Sequence, residues 1–117
     1  MSTYRWLALI ALSASAATWL GSAASAVSEA DLLGNWCGSD SNYGFTRKVM
    51  TVTRPSSSDR LVFDIVGIEP REGRIAVSWQ RADGKVVRTE FAEFSSDGKK
   101  MVQLPNSGGP RREFKRC

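Results

Sequence analysis

The chain has 117 residues, with 16 lysines and arginines against 12 aspartates and glutamates, and it contains no histidine. This length is typical of one small domain. Without histidine the chain lacks the commonest proton shuttle near neutral pH and the commonest metal ligand, which excludes histidine-dependent triads. We therefore expect a protein that is not an enzyme, with no catalytic residues, no metal site and no cofactor.

The first 26 residues have the three-part pattern of a secretion signal. Arg5 provides a positive start, residues 6–20 form an apolar stretch, and Ala24-Ser25-Ala26 supplies the small residues of a cleavage site. A membrane anchor is the alternative, but a spanning helix needs about 20 predominantly apolar residues. We expect a signal peptide over 1–26 and one domain over 27–117, in the periplasm or secreted, with no transmembrane segment after cleavage.

Two cysteines lie at opposite ends of the expected mature chain, Cys37 near its start and Cys117 at its last position. Exported proteins mature in an oxidising compartment, where such a pair favours a disulfide. A redox-active pair is the alternative, but neither cysteine stands in a Cys-x-x-Cys arrangement. The sequence therefore predicts a structural bridge that joins the first and last parts of the fold.

In chain order, the pattern begins with a short helical turn and continues with strands. Ser28 is a plausible N-cap, acidic residues follow it, and Gly34 ends the turn. Beyond Gly34, segments rich in Val, Ile, Phe, Thr and Trp alternate with turn sequences. Six turns predict about seven strands; the turns are residues 40–42, 55–58, 69–73, 83–84, 97–98 and 105–110.

The strand over residues 61–68 is apolar on both faces, which predicts a central strand or one that meets a second layer. The next strand alternates, and it is followed by Ala82-Asp83-Gly84. A three-residue loop there, with Gly84 in the left-handed conformation, pairs Trp79 with Val87 and keeps the apolar side chains on one face.

The following hairpin has Asp97-Gly98 at its tip. A two-residue turn there places Phe91 opposite Leu104 on the inner face and turns Phe94 outward, opposite Met101. Val102 and Leu104 are then expected to face the core.

Short antiparallel strands joined by hairpins leave two exposed edges unless the sheet closes. A bridge between Cys37 and Cys117 requires the first and last strands to be neighbours, as they are in an up-and-down barrel. We therefore predict an all-β fold, a small closed or nearly closed meander barrel, with a flattened β-sandwich as the alternative.

The sequence Gly34-Asn35-Trp36, preceded by the short helical turn, resembles the opening of the calycin barrels, the group of lipocalins and avidins. In that group an arginine or lysine from the end of the barrel packs across the tryptophan. The resemblance implies a structural seam in which Arg116 or Lys115 packs on Trp36 beside Gly34.

Carboxylate pairs are the remaining candidates for catalysis. Glu69 with Glu72, and Glu90 with Glu93, have the residue types that glycoside hydrolysis needs. The first pair flanks a turn and the second is split between the two faces of one strand, so we interpret both as solvated surface charge.

Positive charge is concentrated over residues 97–117, where the only acidic residues are Asp97 and Glu113. The cations there include Lys99, Lys100, Arg111 and Arg112. With Phe94 expected to be exposed nearby, these residues are a candidate partner-binding surface, because an apolar spot rimmed by cations fits a protein or a lipid head group. An ordinary solvated face is the alternative.

Together these patterns favour a non-enzymatic, monomeric binding module of the bacterial envelope that recognises an anionic or amphipathic partner. The partner would be a protein with an acidic surface, a lipid head group or a cell-wall polymer, and export disfavours nucleic acid. The alternatives are a carrier of small lipophiles, which requires an apolar cavity, and a carboxylate-dependent glycan hydrolase.

Overall fold

The computed structural model describes residues 26–106 and 108–117, and these form an eight-stranded antiparallel barrel with one short helix. Each strand pairs with the next, and the last pairs with the first, so the predicted up-and-down barrel is confirmed and the flattened sandwich is wrong. The elements are α1 (Glu29–Leu32), β1 (Gly34–Cys37), β2 (Asn42–Phe45), β3 (Val49–Thr53), β4 (Arg60–Arg71), β5 (Arg74–Gln80), β6 (Val86–Ala92), β7 (Lys100–Leu104) and β8 (Arg112–Arg116).

The predicted signal peptide lies outside the described residues, apart from Ala26, which forms an isolated bridge with Glu72. Within the described part of the chain, no helix has the length and apolar character needed to cross a bilayer.

The barrel has eight strands because the segment after residue 42 contains a turn that we did not predict. The turn follows Thr46, whose side-chain oxygen accepts hydrogen bonds from the backbone N–H groups of Lys48 (3.2 Å) and Val49 (3.0 Å). A threonine side chain that bonds two or three residues ahead stabilises a turn without glycine or proline. The barrel therefore has one strand more than the approximate number predicted.

The β5–β6 hairpin has the predicted three-residue loop. The backbone N–H of Arg81 donates to the Lys85 carbonyl at 2.7 Å, and Gly84 has a φ of 90°. Trp79 pairs with Val87, as predicted, and the inner face of the hairpin is apolar.

The β6–β7 hairpin differs from its predicted register by one residue. Phe91 pairs with Gln103 rather than Leu104, although the turn itself is centred on 97–98, with the Ser95 N–H donating to the Lys100 carbonyl. One extra residue therefore lies in the β6 side of the hairpin, next to Glu93, which has a positive φ of 55°.

This bulge changes which β7 side chains face the core. Met101 is inside and 1% exposed, whereas Val102 and Leu104 are on the outer face. Phe94 is turned back toward the barrel, where its ring centroid lies 6.3 Å from that of Trp36. The expectations of an outward Phe94 and of an inward Val102 and Leu104 are therefore wrong.

A second bulge explains the double apolar face of β4. The pairing with β5 shifts between Ile65 and Gly67, so Ile68 returns to the inner face. Val62 and Val66 are on the outer face and are 58% and 60% exposed. No second layer covers them among the described residues, whereas β4 is paired on both edges, with β3 and β5, so the prediction of a central strand is confirmed and the alternative of a second layer is not.

Aromatic rings fill the middle of the barrel. Tyr43 lies at the centre of this cluster, with its ring centroid 5.1 Å from Phe114, 5.7 Å from Phe45 and 6.1 Å from Phe91. The three phenylalanines are between 0% and 3% exposed. Such ring-to-ring packing supplies much of the apolar burial that holds a small barrel together.

The two ends of the barrel differ. We call the end that carries α1 and the turns at 46–48, 72–73 and 93–99 the closed end, because α1 and the fully buried Leu32 cover it. We call the other end, with the loops at 38–41, 54–59 and 81–85 and with residues 105–106 and 108–111, the open end.

Candidate functional site

A cation packs across Trp36 at the closed end, and it is Arg116. Its guanidinium carbon lies 4.0 Å from the ring centroid, which is a cation–π distance. The predicted contact is therefore present, with Arg116 rather than Lys115. Three backbone carbonyls also accept hydrogen bonds from this guanidinium; they belong to Gly98 (3.1 Å), Asp31 (2.9 Å) and Leu33.

The residue opposite this guanidinium must be glycine. A Cβ built on Gly34 would lie 2.6 Å from Nη1 of Arg116, and Gly34 has a φ of 114°, which other residues rarely adopt. The indole N–H of Trp36 donates to the Leu32 carbonyl at 2.7 Å. Gly34, Trp36 and Arg116 thus form one unit, which we call the clasp. Its indole and guanidinium groups all donate hydrogen bonds to backbone carbonyls.

The predicted disulfide joins β1 to the end of the chain on the outside of the barrel. The Cα atoms of Cys37 and Cys117 are 5.1 Å apart and the residues are 80 positions apart in sequence. β1 and β8 share only two paired positions, so the bridge reinforces the shortest seam of the barrel. The clasp and the disulfide are therefore structural contacts, in which the guanidinium of Arg116 and the indole N–H of Trp36 are already hydrogen-bonded.

The open end holds a different arrangement, an open pocket of about 730 Å³. That volume is in the range of small-molecule sites. Its lining is mostly polar and consists of Ser39, Asp40, Ser41, Tyr43, Val52, Arg54, Pro55, Ser56 and Arg112.

Arg54 follows β3 directly and its backbone is fixed by the loop that it begins. Its N–H donates to the Asp59 carbonyl at 3.2 Å, and its own carbonyl accepts from the N–H groups of Ser57 (3.2 Å) and Ser58 (3.1 Å). The guanidinium therefore extends from a defined position on the pocket wall. It forms no ion pair with the carboxylates of the described residues.

Arg112 is the first residue of β8 and lies on the inward face, because strand residues alternate and Phe114 is inside. Its Cα pairs with that of Gln103, whose side-chain carbonyl accepts a hydrogen bond from the Tyr43 hydroxyl at 3.2 Å. Within the described chain Arg112 also has no ion-pair partner.

Tyr43 forms the floor of this pocket and is sensitive to the charge beside it. Burial raises the pKa of the Tyr43 hydroxyl above its ordinary value, while the positive charge of Arg112 and the hydrogen bond with Gln103 lower it in part. Tyr43 is therefore a neutral hydrogen-bonding group near pH 7, and Arg112 is close enough to influence it.

The β1–β2 loop forms another wall of the pocket and is held in place. The Ser41 carbonyl accepts the N–H of Gly38 at 3.0 Å, and Ser41 is 7% exposed. A Cβ on Gly38 would lie 2.6 Å from the Phe114 ring, so only glycine allows the loop to pack this closely on the barrel.

The residues that the sequence grouped as a partner-binding surface are dispersed. Phe94 packs on Trp36 at the closed end, Lys99 lies in the turn beside it, and Arg112 lies in the open-end pocket. Lys100 and Arg111 line an outer groove on β7 and β8.

That outer groove has mixed charge. Arg111 forms an ion pair with Glu93, and Glu113 also lines the groove, opposite Val102.

The nearby β6–β7 turn is ordered by its own side chains. Hydrogen bonds from the Ser95 hydroxyl and then from the Lys99 backbone N–H hold the pKa of Asp97 below its usual range.

The acidic residues weighed for catalysis are mostly engaged in ion pairs. Glu69 pairs with Arg71 at 3.3 Å, and Glu90 pairs with Arg74 at 2.8 Å and with Arg88 at 3.8 Å. All three of these arginine pairs lie on exposed or half-exposed surface.

Of the residues that line the pocket, only Arg112 was among the partner-binding residues predicted from the sequence; Asp40, Tyr43 and Arg54 were not. The alternation of β2 places Tyr43 and Phe45 on one face of the strand. The pairing of β1 with β2 then shows that this face is the inner one. The position of Arg54 depends on the turn at 46–48, which fixes the length of β3, and no glycine or proline marks that turn.

Comparisons of the chain with models of known protein families, with curated proteins and with solved structures found no match. The established result is therefore the architecture, an eight-stranded antiparallel barrel with a polar pocket at its open end.

Proposed function

We propose that the protein is a non-enzymatic binding module, exported to the bacterial envelope, which holds the anionic part of its partner in the open-end pocket. The observation that carries this proposal is the pair Arg54 and Arg112. Both residues line one pocket, and neither has an ion-pair partner among the described residues. Guanidinium groups attract anions and form strong, directional hydrogen bonds with them.

The open end is favoured over the other clusters of positive charge. At the closed end the guanidinium of Arg116 is already bonded to three carbonyls and packed on Trp36. In the outer groove Arg111 is paired with Glu93. A partner would have to break these contacts, whereas Arg54 and Arg112 are available.

The lipophile-carrier alternative has less support. A carrier needs an apolar cavity in the middle of the barrel, and that position holds the Tyr43 ring cluster. A ligand would have to displace rings that are almost fully buried, which costs packing free energy. The hydrolase alternative has less support too, since Glu69, Glu90 and Glu93 all bind arginines.

We further propose that the chain is a member of the calycin group. The support is the eight-stranded up-and-down barrel together with the clasp, in which Arg116 packs on Trp36 beside a glycine that cannot be replaced without a clash.

The test compares what the protein retains from an envelope extract when different cations are neutralised. The disulfide-bonded protein is immobilised, and bound material is quantified for protein, sugar and phosphorus. We expect the double variant Arg54→Gln/Arg112→Gln to lose most of the captured material. The matched control Lys99→Gln/Lys100→Gln removes the same charge at the other end of the barrel and should capture as the unmodified protein does.

Equal capture by both double variants and the unmodified protein would remove the open-end pocket from consideration. Loss with the lysine variant alone would move the binding site to the closed end and the outer groove. Both variants are checked by circular dichroism, because a folding defect would also reduce capture.

A further inference from the structure

The lining of the open-end pocket is more specific than a patch of positive charge. Besides Arg54 and Arg112 it contains the hydroxyl residues Ser39, Ser41 and Ser56. Two planar guanidinium groups offer many N–H donors in fixed directions, and each hydroxyl adds one more.

This number of donors fits a phosphate better than a carboxylate. One arginine can satisfy both oxygens of a carboxylate by a two-pronged contact, which would leave the second arginine without a role. A phosphate monoester has three strong acceptor oxygens and a charge of about −1.5 to −2 at pH 7. It can therefore accept hydrogen bonds from both arginines at once.

The lining also contains an acidic residue, Asp40, which a site that binds only an anion would not need. It is exposed, its carboxylate repels any anion, and it forms no ion pair with Arg54 or Arg112. A carboxylate is, however, a strong acceptor for hydroxyl groups. It would bind the hydroxyls of a sugar or polyol attached to the phosphate.

We propose that the open-end pocket binds a phosphorylated polyol or sugar, with Arg54 and Arg112 on the phosphate and Asp40 on a neighbouring hydroxyl. This inference rests on the proposed binding function and names the chemical class of the partner. Glycerol phosphate occurs as a free monoester and also in the head group of an anionic phospholipid, where the phosphate is a diester with one negative charge and two terminal oxygens, one for each arginine.

The test is calorimetric titration of the disulfide-bonded protein, produced from the full chain, at low ionic strength. The probes are sn-glycerol 3-phosphate, inorganic phosphate and citrate, and vesicles that contain either phosphatidylglycerol or phosphatidylserine. Citrate is the carboxylate control, and phosphatidylserine has an anionic head group without the glycerol hydroxyls.

We expect sn-glycerol 3-phosphate to bind more tightly than inorganic phosphate or citrate. Arg112→Gln should weaken binding about ten- to a hundredfold, the value of one charge-assisted contact. Lys85→Gln is the matched control, because Lys85 lies in a loop at the same end but does not line the pocket. It should change binding less than about twofold.

Asp40→Asn gives the sharpest distinction. It should lower the preference for sn-glycerol 3-phosphate over inorganic phosphate about fivefold, through loss of one hydroxyl contact. Loss of the repelling charge should strengthen the phosphate contact of both probes alike, so the ratio of their dissociation constants isolates the hydroxyl contact. A general anion site would instead keep that ratio unchanged in this variant, and that result would overturn the proposal.

The vesicles identify the source. Binding to phosphatidylglycerol vesicles, in preference to phosphatidylserine vesicles, without binding of free sn-glycerol 3-phosphate supports the proposal and assigns the phosphate to a membrane lipid. If neither form of glycerol phosphate binds, the phosphorylated-polyol class is wrong. The binding function would still stand if Arg54→Gln/Arg112→Gln lost capture from the extract, and would fail if it did not.

Discussion

Replacing Arg116 tests whether the clasp holds the closed end together. The change Arg116→Met keeps an unbranched apolar side chain but removes every polar contact of the guanidinium. Those contacts are hydrogen bonds to three carbonyls, at 3.1 Å and 2.9 Å for Gly98 and Asp31, and the position 4.0 Å above the ring of Trp36.

The free energy at stake can be worked from these contacts. Each hydrogen bond contributes about 1 kcal/mol net in a partly solvated position, and the cation–π contact contributes about 1 kcal/mol. The loss is therefore about 4 kcal/mol for Arg116→Met, a large part of the stability of a domain of this size. Arg116→Lys keeps the charge near Trp36 but cannot reach three carbonyls at once, so we expect about half that loss.

The assay is equilibrium unfolding in urea, followed by far-ultraviolet circular dichroism with the disulfide intact. The control is Lys115→Met, which removes the neighbouring cation from an exposed position on the same strand and should change the free energy of unfolding by less than about 0.5 kcal/mol. The reasoning would be refuted if Arg116→Met lost less than about 1 kcal/mol, or no more than Lys115→Met.

Three further predictions concern the seam and the interior. Replacing Cys37 and Cys117 together with Ala should lower the free energy of unfolding by at most about 4.5 kcal/mol, from the chain entropy of a closed loop that spans 80 positions; a loss below about 1 kcal/mol in urea unfolding would contradict this. Gly34→Ala should destabilise the barrel by about 2 kcal/mol or more, from backbone strain at a φ of 114° and from the clash with Nη1 of Arg116; with Arg116→Met already present only the part due to the clash should disappear, and equal effects in both backgrounds would disprove that part. Because burial raises the pKa of Tyr43 above 10.0, the folded state holds the proton more tightly than the unfolded chain, so stability should fall as pH rises above about 10. Tyr43→Phe should remove that part of the decline, and parallel pH profiles for the two proteins would speak against it.

The barrel was predictable because its closure depends on features that the sequence shows directly. The positions of Cys37 and Cys117 required adjacent first and last strands, and the β5–β6 register followed from Gly84 and the alternation around it. What the sequence did not show were the irregular positions. Glu93 adopts a positive φ without being glycine, and Thr46 forms a turn with its own hydroxyl.

The candidate site was harder to predict than the fold because it is built by register rather than by motif. Sequence proximity grouped Arg112 with Lys99, Lys100 and Arg111, but a barrel sends neighbouring residues of one strand to opposite faces. The one-residue bulge at Glu93 shifts this alternation by one position, so Phe94 faces inward and not outward as predicted. Tertiary pairing, and not composition, decided which cations share a surface.

β8 presents two arginines on its inward face, and their surroundings determine their roles. Arg112 and Arg116 are four residues apart and lie at opposite ends of the barrel. Arg116 is bonded to three carbonyls and packed on Trp36, so its removal costs stability and it offers nothing to a partner. Arg112 lines an open pocket and has no ion-pair partner in the described part of the chain, so the fold depends on it little and an anion gains from it. Substitution of Arg112 should therefore change binding without unfolding the barrel, whereas substitution of Arg116 should lower stability. The two arginines differ in role because they lie at opposite ends of one short strand.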